Sequence, residues 1–325
     1  MLSLIYAGMV MVLASPVSFY TMDDPYIHMA LAENIARGSF GVNLGEASNP
    51  SSSILWPWIL AASDKLGVML WAPLLINIAC FVASLNVALV FAIRRLASEG
   101  VGQMRVLILV GLGFLAFNVF GVIFTGMEHS LHVLLCIIAV TRVIDGKYDV
   151  LALNALILGP LVRFEGAIIL AFGVGAALVD RKWVFALAAL GGAALLAGAY
   201  AWWLTGMGLP ILPSSVLSKS AASSSLVEGG GGIGQALAAN FIKNLGSPAA
   251  PMLGILGVGA IYAAVRRAGR DRLLALGVIA VLLLATMLGR MDSYARYEVY
   301  VLCSAGLALV HLLQPELKKL LASQT

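Results

Sequence analysis

Two adjacent carboxylates, Asp23 and Asp24, stand at the head of the stretch DDPYIHMALAENIARGSFGVNLGEASNPSSS. Glu33 and Glu46 follow them in a chain where charged residues make up only 11%. Acids beside a membrane face are functional-site hypotheses by default, because leaving them there has a cost that ordinary packing does not repay. Asp23 reads as an acid free to point into a cavity and act as a base. Asp24 reads as the cap of a helix that follows. His28 is either a second base or a structural histidine. Ser51, Ser52 and Ser53 either hydrogen-bond a sugar or cap the next helix.

Complementary cations lie far away in sequence. Arg163 sits in VRFEG (162–166), Lys219 in LPILPSSVLSKS (209–220), and Arg290 and Arg296 in LGRMDSYARYEVY (288–300), where Tyr297 adjoins Arg296. An arginine fork binds phosphate bidentately, and lysine offers a point charge. The structural alternatives are an Arg163–Glu165 pair bracing a bend and an Arg/Tyr membrane anchor. Glu128 in TGMEHS (125–130) either starts a helix, where the dipole favours an acid, or meets substrate. Glu128 and His132 are spaced as half of a metal site, but no second cluster accompanies them, so no metal is assigned. The glycine run at 229–232 has neither a preceding strand nor a following GK[ST], which excludes a phosphate-binding loop of the nucleotide type.

The elements that position these residues follow from hydropathy. The chain has 325 residues, 61% of them hydrophobic, and a mean hydropathy of +0.98. Soluble domains contain about 45–50% apolar residues, so an all-α polytopic membrane protein is the expected class. About ten spans are expected, at 1–20, 68–93, 105–124, 128–143, 149–162, 165–179, 183–204, 250–268, 272–289 and 297–314. They form one domain over 1–325, with two long outer loops at 21–67 and 205–249 and no soluble C-terminal domain. Asp24, Pro25 and Gly38 punctuate an amphipathic helix lying in the interface, with Ile27, Ala30, Leu31 and Ile35 on one face. The segment 53–62, interrupted by Pro57, reads as interfacial or re-entrant.

Charge placement orients the threading. With the N-terminus in the cytoplasm, thirteen of the 20 Lys and Arg residues fall in inner loops, as the positive-inside rule requires. Ten of the 16 acids fall outside, so the chemistry is expected on the outer face of the cytoplasmic membrane with both termini inside. The basic residues form short inter-span clusters, which argues against a nucleic-acid partner. Cys80, Cys136 and Cys303 lie in apolar runs and read as buried free thiols.

Five motifs in order carry a family resemblance over about 280 residues. DDPYIHMALAENIARGSFGVNLGEASNPSSSILW resembles a DDAYI start followed by a short helix and an NPGE-like stretch. TGMEHS, VRFEG, LPILPSSVLSK and ARY follow as counterparts of TG-LE, TRPEG, LPNTFYAK and RY motifs. The chain thus resembles GT-C superfamily membrane glycosyltransferases, in the branch containing the mycobacterial terminal arabinofuranosyltransferases. It departs from that pattern at Phe164, where proline is usual, and at ILPSS, where relatives have NTFYA.

The resemblance implies a sugar donor linked to a polyprenyl monophosphate, an acceptor hydroxyl on a glycan, lipid or protein, and inversion at the anomeric carbon. No further cofactor is implied. Phosphate is already a good leaving group, so one base suffices, unlike the two carboxylates of glycoside hydrolysis. Asp23 is then the base, with Asp24 beside it. Arg296 is the favoured group for the leaving phosphate, ahead of Arg290, Arg163 and Lys219. His28, Ser51, Ser52, Glu128 and Tyr297 are the expected substrate contacts. The competing class is a lipid or small-solute transporter or flippase without glycosyl transfer, which would place its ionisable groups near the bilayer midplane.

Overall fold

The computed structural model describes residues 20, 22–211, 213, 233–291 and 296–323. Every regular element among them is helical, and the single β-bridge, Ser98 to Val101, closes a turn. The expected first span at 1–20 lies outside the described residues except for Tyr20.

The chain runs α1 (Asp24–Ala36), α2 (Trp56–Lys65), α3 (Ala72–Leu96), α4 (Gln103–Ala116), a 3-10 turn (Gly121–Thr125) and α5 (His129–Ile144). It continues through α6 (Val150–Val162), α7 (Gly166–Val179), α8 (Trp183–Gly206), α9 (Ile233–Leu245) and α10 (Ala250–Arg266). It ends with α11 (Gly269–Leu288), α12 (Val299–Leu312) and α13 (Gln314–Ala322).

Among the described residues, four helices are long and apolar enough to cross a membrane: α3, α4 with its 3-10 extension to Thr125, α8 and α11. The pairs α9–α10 and α12–α13 bring the number to six if each is one span, although they bend by 104° and 81°. Among the described residues, length and hydropathy therefore do not confirm the ten expected spans. Three of them, α5, α6 and α7, have 16, 13 and 14 residues. At 1.5 Å per residue, helices of that size fall short of a hydrocarbon core of about 30 Å.

Side-chain contacts give the helix directions. At one end of the bundle, Arg95 of α3 bonds Asp145, just past α5, and His311 near the end of α12. There too Arg270, at the start of α11, holds Asp180 beyond α7 and the carbonyls of Val143 and Ile144 on α5. Arg267, past α10, bonds the Leu312 carbonyl. Arg105 near the start of α4 bonds the Leu321 carbonyl. At the opposite end, Asn77 of α3 donates to the carbonyls of Ile123 and Met127. The backbone of Ile54 and Leu55 donates to Leu161 near the end of α6.

Local sequence explains the elements around that second end, with two corrections to the reading above. Pro57 does not interrupt a helix. It sits in the first turn of α2, where its missing N–H costs nothing, and the Ser53 hydroxyl accepts the Trp56 N–H at 3.0 Å. The face of α1 that carries Ile27, Ala30, Leu31 and Ile35 is not buried as a unit. The helix packs on α2 and buries Pro25, His28, Met29, Leu31 and Ala32, while Ile27 is exposed. Trp56, Leu60, Met29, Ala32 and Tyr20 form the small core between α1 and α2. Each large side chain there contributes about 1.5–3 kcal/mol by burial.

Two helices were not expected at all. Helix α9 lies within the supposed outer loop 205–249. Its Asn240 and Asn244, one turn apart, donate to the carbonyls of Thr286, Met287 and Gly289 at 2.8–2.9 Å. These asparagines satisfy the orphan carbonyls at the C-terminus of α11. Helix α13 turns sharply away from α12 at Pro315, in its first turn.

Candidate functional site

One acid of the first loop, Asp24, meets its cation at the end of the bundle where α5 begins and α6 finishes. Asp23, not Asp24, holds the N-cap position of α1, and its side chain accepts the Asp24 N–H at 3.0 Å. Asp24 is inside the helix and pairs with Arg296, 3.2 Å away and 272 residues along the chain. The helix starts one residue earlier than expected, and the Asp24 carboxylate is engaged by Arg296 instead of capping. Asp23 is exposed and has no ion-pair partner among the described residues.

The 3-10 turn ends in a glycine that allows this approach. Gly126 has φ +68°, and a Cβ there would lie 2.6 Å from the Tyr20 ring and 2.9 Å from Pro25. Only glycine both adopts that backbone and leaves room for the start of α1.

Glu128, immediately after, is fully buried. Its Oε1 accepts from Arg163 Nη1 at 2.6 Å and from the Ser52 hydroxyl at 3.2 Å. Arg163 Nη2 reaches Glu165 at 2.8 Å. The bend carrying Arg163 and Glu165 is tight because Gly166 touches the backbone of Gly159 and Pro160, where any Cβ would collide. Burial works against the charged guanidinium of Arg163, but Glu165 and Glu128 outweigh it and hold it protonated. Burial likewise works to raise the Glu165 carboxyl, and Arg163 overrides that effect and holds it below the usual range.

Tyr297 joins the two groups of charge. Its ring lies 4.7 Å from the Arg296 guanidinium and 5.0 Å from that of Arg163. His129 meets it edge-on at 5.5 Å. Each cation–π contact is worth about 0.5–2 kcal/mol in a desolvated setting. Arg296 is buried, with Nη1 against Met22 Sδ and Nε without a hydrogen-bond partner. One turn deeper, His132 lies against the Tyr300 ring at 4.7 Å.

Of the expected site residues, Asp23, Asp24, Glu128, Arg163, Arg296, Tyr297 and Ser52 are thus brought to one end of the bundle. Ser51 and His28 face each other at 3.4 Å, and Ser51 also accepts the Ser53 N–H, so it shapes the loop. Arg290, half-buried just past α11, is not among the residues these contacts join. Lys219 lies outside the described residues. His129, Tyr300 and the buried Glu298 were missed as site residues by sequence reasoning, and His132 entered it only through its spacing from Glu128. Their polarity inside apolar runs was the available signal, since a membrane span rarely buries such groups without purpose. No group of three or more His, Cys, Asp and Glu among the described residues could hold a metal ion.

No family model, curated protein or solved structure matches the chain. Fold and composition define an α-helical membrane-embedded protein, with an ionised, partly buried cluster at one end of its bundle.

Proposed function

We propose that the protein is a GT-C-type membrane glycosyltransferase, moving a sugar from a polyprenyl-monophosphate donor to an acceptor hydroxyl with inversion. The observation that carries the reading is the meeting of the Asp23–Asp24 helix start with Arg296 beside Tyr297. It puts the exposed Asp23 one residue from the carboxylate that pairs with a buried guanidinium, and a base and a phosphate holder at one end of the bundle are what the reaction requires. In this reading Asp23 takes the proton of the acceptor hydroxyl. Arg296 stabilises the leaving phosphate, and Asp24 holds Arg296 in place. Arg163 already carries two carboxylates, so its part is to position Tyr297 and brace the bend.

The topology proposed with it has ten spans, including the three short helices, with the N-terminus cytoplasmic and the cluster at the outer face. The positive-inside asymmetry of the loops supports that orientation. The donor and acceptor sugars are left to the pocket, and no metal enters the scheme.

A second reading, a lipid or solute transporter, is favoured by one observation. His129 Nε2, His132 Nε2, Tyr300 Oη and Ser304 Oγ are buried without hydrogen-bond partners along α5 and α12. Polar groups inside a bundle are what a translocation path needs. Purified protein tested on a panel of polyprenyl-phosphate sugars separates the two. Transfer by wild type, with donor binding but no transfer by Asp23→Asn, supports the enzyme and its base. Full transfer by that variant moves the base to Asp24 or Glu128. Donor movement across vesicles without transfer replaces the enzyme by the transporter.

A further inference from the structure

Away from the ionised cluster, an apolar hollow among the described residues lies between α4, α10 and α12 and ends on α13. It has a volume of about 620 Å³, within the range of small-molecule sites. Its depth comes from glycines. Gly113 and Gly306 lie against the Phe117 ring, and Gly259 lies against Leu309. Phe117 is at the end of α4 nearer the Glu128–Arg163 cluster, while Tyr262, Leu313 and Leu317 line the other end. Ile255 and Val258, also in the lining, are largely exposed, so the hollow is an open groove along the side of the bundle.

The charged end of this groove decides its occupant. The Tyr262 hydroxyl bonds Glu316 at 3.4 Å, and the exposed Arg266 guanidinium lies 5.9 Å from the Tyr262 ring. Glu316 is neutralised by Arg267. Arg266 has no carboxylate partner among the described residues, and Lys318 and Lys319 follow Leu317 on α13. One end of the groove is therefore wholly apolar, and the other meets unneutralised cations.

We propose that the groove binds one acyl chain of an anionic phospholipid, with its phosphate at Arg266 and the α13 lysines. The charge placement selects this ligand over the lipid of the proposed donor. A lipid's phosphate must sit at the charged end, and that end is opposite the Asp24–Arg296 cluster. α12 starts beside Arg296 and ends where Arg267 bonds Leu312. The site is thus independent of the transfer reaction, and it ties α13 to the bundle through a lipid.

Native mass spectrometry and thermal melting of delipidated protein test the proposal. The probes are phosphatidylglycerol and phosphatidylcholine with identical acyl chains. Wild type should retain phosphatidylglycerol preferentially and melt higher with it. Arg266→Gln should lower that preference roughly fivefold, the effect of one basic residue at an anionic surface. Gly113→Leu fills the groove where only Phe117 is near, at 3.9 Å from an added Cβ, and should lose retention of both lipids. Gly111→Leu, on the same helix but outside the groove lining, should keep it and reports on folding. Equal retention of the two lipids by wild type overturns the assignment. So does undiminished retention by Gly113→Leu, or one-for-one displacement of phosphatidylglycerol by polyprenyl phosphate.

Discussion

Replacing Arg163 by methionine should cost far more stability than replacing its partner Glu128 by glutamine. The two side chains are 4% and 0% exposed, whereas Glu165, the second partner, is 25% exposed. In Arg163→Met, the buried Glu128 carboxyl is left with no counter-ion. Only the Ser52 hydroxyl remains on Oε1, and Oε2 has no partner even in the wild type. Breaking a buried pair in this way costs about 3–5 kcal/mol. In Glu128→Gln, Arg163 keeps Glu165 at 2.8 Å and can still donate to the amide oxygen, so a loss of about 1–2 kcal/mol is expected. The double variant leaves no stranded charge at position 128. It should recover at least about 1 kcal/mol relative to Arg163→Met, a non-additivity expected of groups in direct contact. Glu165 lies near solvent and tolerates the loss. Equilibrium unfolding in mixed micelles of the four proteins completes the cycle. Equal losses in the two single variants, or a double variant that costs their sum, would refute the view that Arg163 is the sole counter-charge of Glu128.

Three further outcomes are expected. Asn244→Ala takes the side-chain donor from the Thr286 carbonyl near the end of α11, while Gly289 keeps Asn240, and should cost about 1–3 kcal/mol in the same unfolding assay. The half-buried Asn240 should matter less. Acidification should loosen the opposite end of the bundle. Burial works to raise Asp180, but the Arg270 and Tyr148 bonds outweigh it and hold its carboxyl below the usual range. A depressed carboxylate contributes stability that is complete above the unfolded value of about 3.9 and fades as pH falls through the folded one. Asp180→Asn should therefore flatten the acid limb of a stability–pH profile, and an unchanged limb would remove Asp180 from this role. Cys80, Cys136 and Cys303 are buried free thiols, so a polar maleimide should label none of them until denaturant is added, as read by intact mass.

Local signals were legible where their cause lies within a few residues. Apolar runs marked every described crossing helix and the bend at Arg163. The three cysteines proved buried, as their place in apolar runs implied. The capping of α1 was legible only to within one residue. Asp-Asp-Pro announces a helix start, but either aspartate fits the cap, and the one that pairs with a distant arginine is not the one that caps. The Glu-x-x-x-His spacing at 128 and 132 suggested a ligand pair, yet the tertiary partners are Arg163 and Tyr300. Helix α9 escaped because its neighbours are glycine- and serine-rich, and because its asparagines satisfy another helix rather than their own.

The sequence alone determined that this is a helical membrane protein, since backbone groups in hydrocarbon must bond within the segment and long apolar runs leave few other solutions. It also determined where acids and arginines are set apart from those runs. Only the tertiary structure decided which acid meets which arginine. Asp24 with Arg296, Glu128 with Arg163, and Tyr297 between the two guanidiniums are contacts between helix ends remote in sequence. Their formation depends on the directions and lateral order of the helices, and no spacing along the chain encodes that order, because apolar helix faces can pack on one another in many arrangements.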